Sequence, residues 1–226
     1  MSNYLLNDLM IILSLVIVLG AQFYVNYNYK KYTKVKNAKG ISGAEAAREV
    51  LDKNGLKDVY VVEVNGTLSD HYDPSRKVVR LSKDIYRGES ISAVSIALHE
   101  CGHALQDKDG YLFMRFRAFL VPFVNFASRV GYLVILLGII FQVLNLITIG
   151  IILECVILLF QLITLPVEIN ASKRAIKLCE DYAILGRDEI DQGKSVLTAA
   201  ALTYVASVAT NVLEILRLLL IFRSDD

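Results

Sequence analysis

Between residues 130 and 167 the chain carries one charged residue, Glu154, over a stretch close to twice what a single helix needs to cross a bilayer. A run this long and this apolar has no place in a soluble fold of modest size, so it predicts a membrane hairpin. Asn145, Thr148 and Gly150 mark its expected outer turn, giving spans near residues 130–146 and 149–166. Hydrophobic residues make up 54% of the chain and mean hydropathy is positive, above the soluble norm. A second uncharged run covers residues 9–25. No basic residue precedes it, and Gln22, Phe23 and Tyr24 offer no small-residue cleavage site, so it reads as a retained anchor rather than a signal peptide.

Charge sets the expected topology. Lys30, Lys31, Lys34, Lys36 and Lys39 follow the first run, against Asp8 alone on its other flank, which puts the amino terminus outside and the following segment in the cytoplasm. Arg115, Arg117 and Arg129 precede the hairpin and Lys173, Arg174 and Lys177 follow it, so both of its ends are expected in the cytoplasm. Glu154 then falls near the outer end of its span, where a carboxylate reaches the headgroups, and it reads as structural or interfacial. The segment 196–222 lacks glycine and proline and is expected to be helical. It either crosses as a further span, with Glu214 and Arg217 pairing one turn apart, or lies at the interface.

The chemistry is concentrated in His99-Glu100-Cys101-Gly102-His103. On a helix, residues four apart lie about 40° apart around the axis, so both imidazoles can converge on one ion while Glu100 projects beside it. Ala93, Val94, Ile96, Ala97, Leu98, Ala104 and Leu105 make that helix apolar on most sides, and burial would fix the rotamers of metal ligands. Gly102 costs about 1 kcal/mol relative to alanine inside a helix. Its presence points to another backbone or a substrate passing close by, or to a plain packing need. A catalytic zinc takes three protein ligands and keeps one position open. Three residues compete for the third place. Asp109 fits an extended pattern, but Gln106 stands where that pattern needs glycine, and Asp107 to Gly110 reads as a helix stop. His71 lies in a turn-like stretch before Pro74. Glu168 is the strongest of the three, because the hairpin returns the chain to the side that carries His99 and His103.

The segment around the motif has further signals. Ser42 and Glu45 form a capping box that opens a helix running through Asp52 and stopping at Asn54-Gly55. Residues 59–64 and 77–81 read as an antiparallel pair of strands flanking a polar stretch, 66–75. A strand beside the metal helix could add an extended peptide to the sheet edge. Tyr204 and Arg217 are candidate oxyanion donors, weighed against a packing tyrosine and a salt-bridged arginine. Cys101, Cys155 and Cys179 are scattered and expected as free thiols. Net charge is +1 with no basic stripe, so nucleic acid is not an expected partner, while the lysines after the first span can meet anionic lipid.

Leu68-Ser69-Asp70-His71-Tyr72-Asp73-Pro74, the His99 to His103 motif followed by Ala104-Leu105-Gln106, the hairpin, and Leu165-Pro166-Val167-Glu168 together resemble the YugP-type bacterial membrane zinc metallopeptidases. The order of span, motif, hairpin and glutamate is more distantly similar to the HtpX-type and CAAX-prenyl membrane proteases. The resemblance implies a mainly α, multi-pass protein of the plasma membrane with a zincin-like, gluzincin-type core and a short β pair. It implies one Zn²⁺ per chain held by His99, His103 and Glu168, with Glu100 catalytic. The expected divisions are an anchor at 1–28, a cytoplasmic zincin-like segment at 29–129, the hairpin at 130–167, and a third-ligand helix with an apolar carboxy-terminal helix at 168–226. The more distant relatives carry aspartate four residues after the ligand glutamate, where this chain has Ser172. The expected reaction is peptide-bond hydrolysis on a peptide or membrane-protein substrate, with Glu100 as general base toward zinc-activated water. A zinc-binding membrane scaffold without hydrolytic activity is the rival reading. Glu100 speaks against it, because a structural site has no use for a carboxylate beside the water position.

Overall fold

A computed structural model describes residues 3–224, so Met1, Ser2, Asp225 and Asp226 lie outside the described residues. The helices are α1 (Asn3–Thr33), α2 (Gly43–Lys53), α3 (Lys83–Tyr86), α4 (Ile91–Lys108), α5 (Leu112–Phe141), α6 (Leu144–Asp181) and α7 (Arg187–Ser224). Three strands, β1 (Tyr60–Val64), β2 (His71–Asp73) and β3 (Val78–Ser82), lie between α2 and α3. The chain divides into two compact units. One comprises Phe23–Tyr111 and Val167–Ala201, and the other comprises the chain up to Gln22, Leu112–Pro166, and the chain from Leu202 onward.

In the first unit, α2 starts and stops where its capping residues dictate. Ser42 Oγ accepts from the Glu45 amide at 3.2 Å while Glu45 Oε2 accepts from the Ser42 amide at 2.7 Å. Asn54 ends the helix and Gly55, at φ +73°, takes the left-handed turn. Ala46, Ala47, Val50 and Leu51 form a fully buried stripe that packs with Val94, Ala97, Leu98 and Cys101 of α4. α4 begins at Ser90, whose Oγ accepts from the Ala93 amide at 3.1 Å, and it ends at Asp109, with Gly110 at φ +65°. Asp109 is thus the helix stop that the sequence suggested.

The sheet corrects the expected antiparallel pair. β1 and β3 run parallel, with Val61 opposite Val79, and the order is β1-β3-β2. The polar stretch between them supplies a third strand, β2, which lies antiparallel to β3 with Tyr72 opposite Val79. Asp73 Oδ1 accepts from the Ser75 and Arg76 amides at 3.0 and 3.2 Å and tightens the β2–β3 turn. A chain that crosses to the far edge before turning back must enter β3 parallel to β1. Composition hid β2 because it is a three-residue edge strand rich in polar groups.

Among the described residues, four helices are long and apolar enough to cross a membrane: α1, α5, α6 and α7. In the second unit the α5–α6 turn falls at Gln142, at φ +54°, and Val143, earlier than Asn145 to Gly150. Thr148 lies within α6, its hydroxyl bonded to the Leu144 carbonyl at 3.1 Å. Gly150 serves contact rather than turning, since a Cβ there would meet Ile135 Cγ1 at 2.2 Å. Gly138 likewise admits Ile147, so paired glycines bring α5 and α6 together. Glu154 Oε2 accepts from Asn211 Nδ2 of α7 at 2.8 Å, and Glu214 engages Arg217 through a forked ion pair. α6 continues through Pro166, which has no amide hydrogen to give the Leu162 carbonyl.

Candidate metal centre

α4 carries His99 and His103 on successive turns, and α6 brings Glu168 to them. The three offer ligand atoms within 4.8 Å of one another, the single such group among the described residues. Glu168 Oε2 lies 3.2 Å from His99 Nε2 and 3.5 Å from His103 Nε2. Two donors each about 2.0–2.2 Å from a tetrahedral zinc stand about 3.3 Å apart, so these two separations match two edges of a zinc-sized tetrahedron. The two rings meet edge to face, with centroids 4.7 Å apart and planes at 88°. Two imidazoles and one carboxylate are also the donor types of an open catalytic zinc site, and the residues fit that ion.

The approach of α4 to α6 depends on Gly102. A Cβ at that position would lie 2.6 Å from the Ala171 carbonyl oxygen and 3.2 Å from the Ala171 Cα. Of the readings open in the sequence, the passing backbone is therefore the right one, and it belongs to the helix that bears Glu168.

Each imidazole also has an outer partner at Nδ1. His99 Nδ1 is 3.1 Å from Ser172 Oγ, one turn beyond Glu168 on α6. Ser172 thus occupies the place in which the more distant relatives carry aspartate. His103 Nδ1 is 2.9 Å from Oε1 of Gln106, a fully buried side chain. In the sequence, Gln106 stands as a missing glycine and as part of the stretch that carries the resemblance, without a role of its own. Its spacing of three from His103 was the available signal, because residues so spaced on a helix are neighbours.

Glu100 is buried at 7% exposure and Glu168 at 4%. Burial disfavours the His103 imidazolium, but the Glu168 hydrogen bond and the Glu100 and Glu168 charges outweigh it and push the His103 pKa up. The same field would favour a divalent cation. Cys101 accounts for none of this: it is buried against α2, its Sγ 3.8 Å from the Ala47 carbonyl, and burial raises its thiol pKa far above the usual range.

The other sequence candidates have different places. Asp109 binds Arg174 at 2.6 Å, and His71 is exposed on β2 with Nδ1 2.8 Å from the Ser69 carbonyl. Arg217 is engaged by Glu214, as the salt-bridge reading expected. Tyr204 and Arg217 both belong to the unit of apolar helices.

Comparison with known proteins gives the family. A family model described as "Putative neutral zinc metallopeptidase" matches residues 8–223. The Bacillus subtilis (strain 168) protein named "Putative membrane protease YugP" is 51% identical over 202 residues, 89% of this chain and 90% of that one. No solved structure matches. With the match running over nearly its whole length, the chain belongs to the neutral zinc metallopeptidase family and is a hydrolase of that kind.

Proposed function

We propose that the protein is a membrane-embedded endopeptidase binding one Zn²⁺ per chain through His99, His103 and Glu168, with Glu100 as general base. The observation that carries this reading is the convergence of the two α4 histidines and the α6 glutamate, with the Glu168 carboxylate at tetrahedral-edge separations from both imidazoles. Zinc bound there would lower the pKa of water toward about 7 and polarise the scissile carbonyl. Glu100 takes the proton from the attacking water and hands it to the departing amine. Its buried setting next to His99 keeps bulk water from competing for that proton.

The core is zincin-like in this reading, with α4 as the metal helix. β2 is the edge strand that receives substrate in extended form, which would present a backbone carbonyl to the metal. In support, β2 is antiparallel to β3, and Tyr72 Oη donates to Asp107 Oδ2 of α4 at 2.9 Å, tying that edge to the metal helix.

The protein resides in the plasma membrane with its amino terminus outside and its active site on the cytoplasmic side. The support is the lysine cluster in and just after the last turn of α1 and the basic residues at both ends of the hairpin. α7 crosses as a fourth span, because Asn211 pairs with Glu154 of α6 and the Glu214–Arg217 pair neutralises itself. Substrates are peptides or membrane proteins reached from the cytoplasmic side.

The experiment is zinc per chain in detergent-purified wild type, Glu168→Ala and Glu100→Gln after identical dialysis, with peptidase activity of each. About one zinc in wild type and Glu100→Gln, with much less in Glu168→Ala, supports the ligand set. Glu100→Gln should lose activity by about a hundredfold or more. Equal zinc in Glu168→Ala and wild type would remove Glu168 from the site, and full activity in Glu100→Gln would remove the general base.

A further inference from the structure

We infer that Arg174, Asn170 and Gln106 form a hydrogen-bond relay of fixed polarity that holds the proton of His103 on Nδ1 and turns its Nε2 lone pair toward the metal site. The inference rests on the zinc reading above and assigns a positioning role to three residues outside the ligand set.

The polarity follows from what each group is able to do. Gln106 Nε2 lies 2.8 Å from the Val167 carbonyl oxygen and 3.0 Å from Asn170 Oδ1. A backbone carbonyl only accepts, so the Gln106 atom facing it is the NH₂ group. The Arg174 guanidinium only donates, and its Nε lies 2.9 Å from the same Asn170 oxygen. Asn170 must therefore present oxygen, which again requires NH₂ on Gln106. Arg174 is itself held by Asp109, 2.6 Å from its Nη1.

Two independent anchors, Val167 and Arg174, thus set the Gln106 carboxamide the same way round. Its remaining atom, Oε1, faces His103 Nδ1 at 2.9 Å and can only accept. The opposite tautomer of a neutral His103 would set two lone pairs against each other in a fully buried place, where an unmade hydrogen bond costs most. With one proton on Nδ1, the second position of the ring is Nε2, 3.5 Å from Glu168 Oε2, where either a second proton or a metal ion has to lie between the nitrogen and the carboxylate. His99 lacks such a constraint. Its Nδ1 partner is the Ser172 hydroxyl, which rotates to donate or accept and imposes no tautomer. The relay also spans both ligand helices, joining His103 on α4 to the carbonyl immediately before Glu168 on α6.

The test uses the full-length protein in detergent. Zinc dissociation constants are measured by chelator competition for wild type, Gln106→Met, Asn170→Asp and Ser172→Ala. ¹⁵N-histidine spectra of the zinc-loaded wild type complete it, since the chain has only three histidines to assign. Gln106→Met keeps the volume and removes the acceptor, so zinc should bind about 10- to 100-fold more weakly. Asn170→Asp still accepts from both Gln106 and Arg174 and should stay within about threefold of wild type. Ser172→Ala should cost less than Gln106→Met. His103 should carry its proton on Nδ1 in the spectrum. Gln106→Met at wild-type affinity, or a zinc-loaded His103 protonated on Nε2, overturns the relay. If Gln106→Met does not fold, the wild-type spectrum decides. Absence of zinc from wild type would sink the metal site itself, a different result from a wild type that binds zinc without needing Gln106.

Discussion

Gly102 shows how much of the site depends on one missing methyl group. Its would-be Cβ meets a backbone oxygen at 2.6 Å, and a backbone atom of a packed helix cannot swing aside as a side chain does. Gly102→Ala gains about 1 kcal/mol of helix propensity and loses more, about 1–3 kcal/mol, to overpacking. It should separate α4 from α6, lower the melting temperature and weaken zinc binding about tenfold or more, as read by thermal denaturation and chelator competition. Protonation of His103 gives a second prediction. Its pKa is raised in the folded, metal-free chain, so the imidazolium stabilises that chain below the unfolded value of about 6.5, and this contribution is lost as pH rises through the higher folded value. Zinc needs the neutral ring and must displace the proton, so zinc-induced stabilisation should increase from about pH 6 to about pH 8. A melting shift that is flat with pH over that interval would remove His103 from the ligand set.

At the scale of elements, α4 is fixed at its start by a cap and along its length by burial. Ser90→Ala removes the acceptor for the Ala93 amide and should cost about 1 kcal/mol, yet leave zinc stoichiometry intact because the ligands lie two turns further on. Denaturant unfolding paired with metal analysis checks both halves. The capping box of α2, the stop at Asp109-Gly110 and the apolar stripe of α4 were all legible in the sequence, because each depends on residues within a turn or two of one another. The orientation of β1 against β3 was not. It depends on β2 pairing at the far edge, and a strand of three residues carries no periodic signal strong enough to announce itself. The α5–α6 turn was misplaced for a related reason: Gly150 reads as a turn residue, while its actual use is to admit Ile135.

For the whole molecule, four apolar helices expose large hydrophobic side chains such as Val16, Phe119 and Ile140, the surface expected of helices facing lipid. The protein should stay with membranes through an alkaline wash. With the native cysteines replaced by alanine, Ala38→Cys, beside the lysine cluster, should resist a membrane-impermeant maleimide in intact cells and react once they are opened. Labelling in intact cells would invert the topology and put the metal cluster outside.

The sequence by itself determined the membrane character, the metal motif, the capped ends of α2, the stop of α4 and the family, because hydropathy, i to i+4 spacing and capping are local properties of the chain. Glu168 could be nominated from the sequence, since the hairpin's charge pattern returns the chain to the side of His99 and His103. Only the tertiary structure decided that its carboxylate meets both imidazoles, that Ala171 lies against Gly102, and that Gln106 turns inward to His103. These contacts join residues more than sixty positions apart, or depend on how a neighbouring helix satisfies a buried amide. No local pattern records which long-range partner fills a given gap, because that choice is made by packing and by the need to pair every buried polar group.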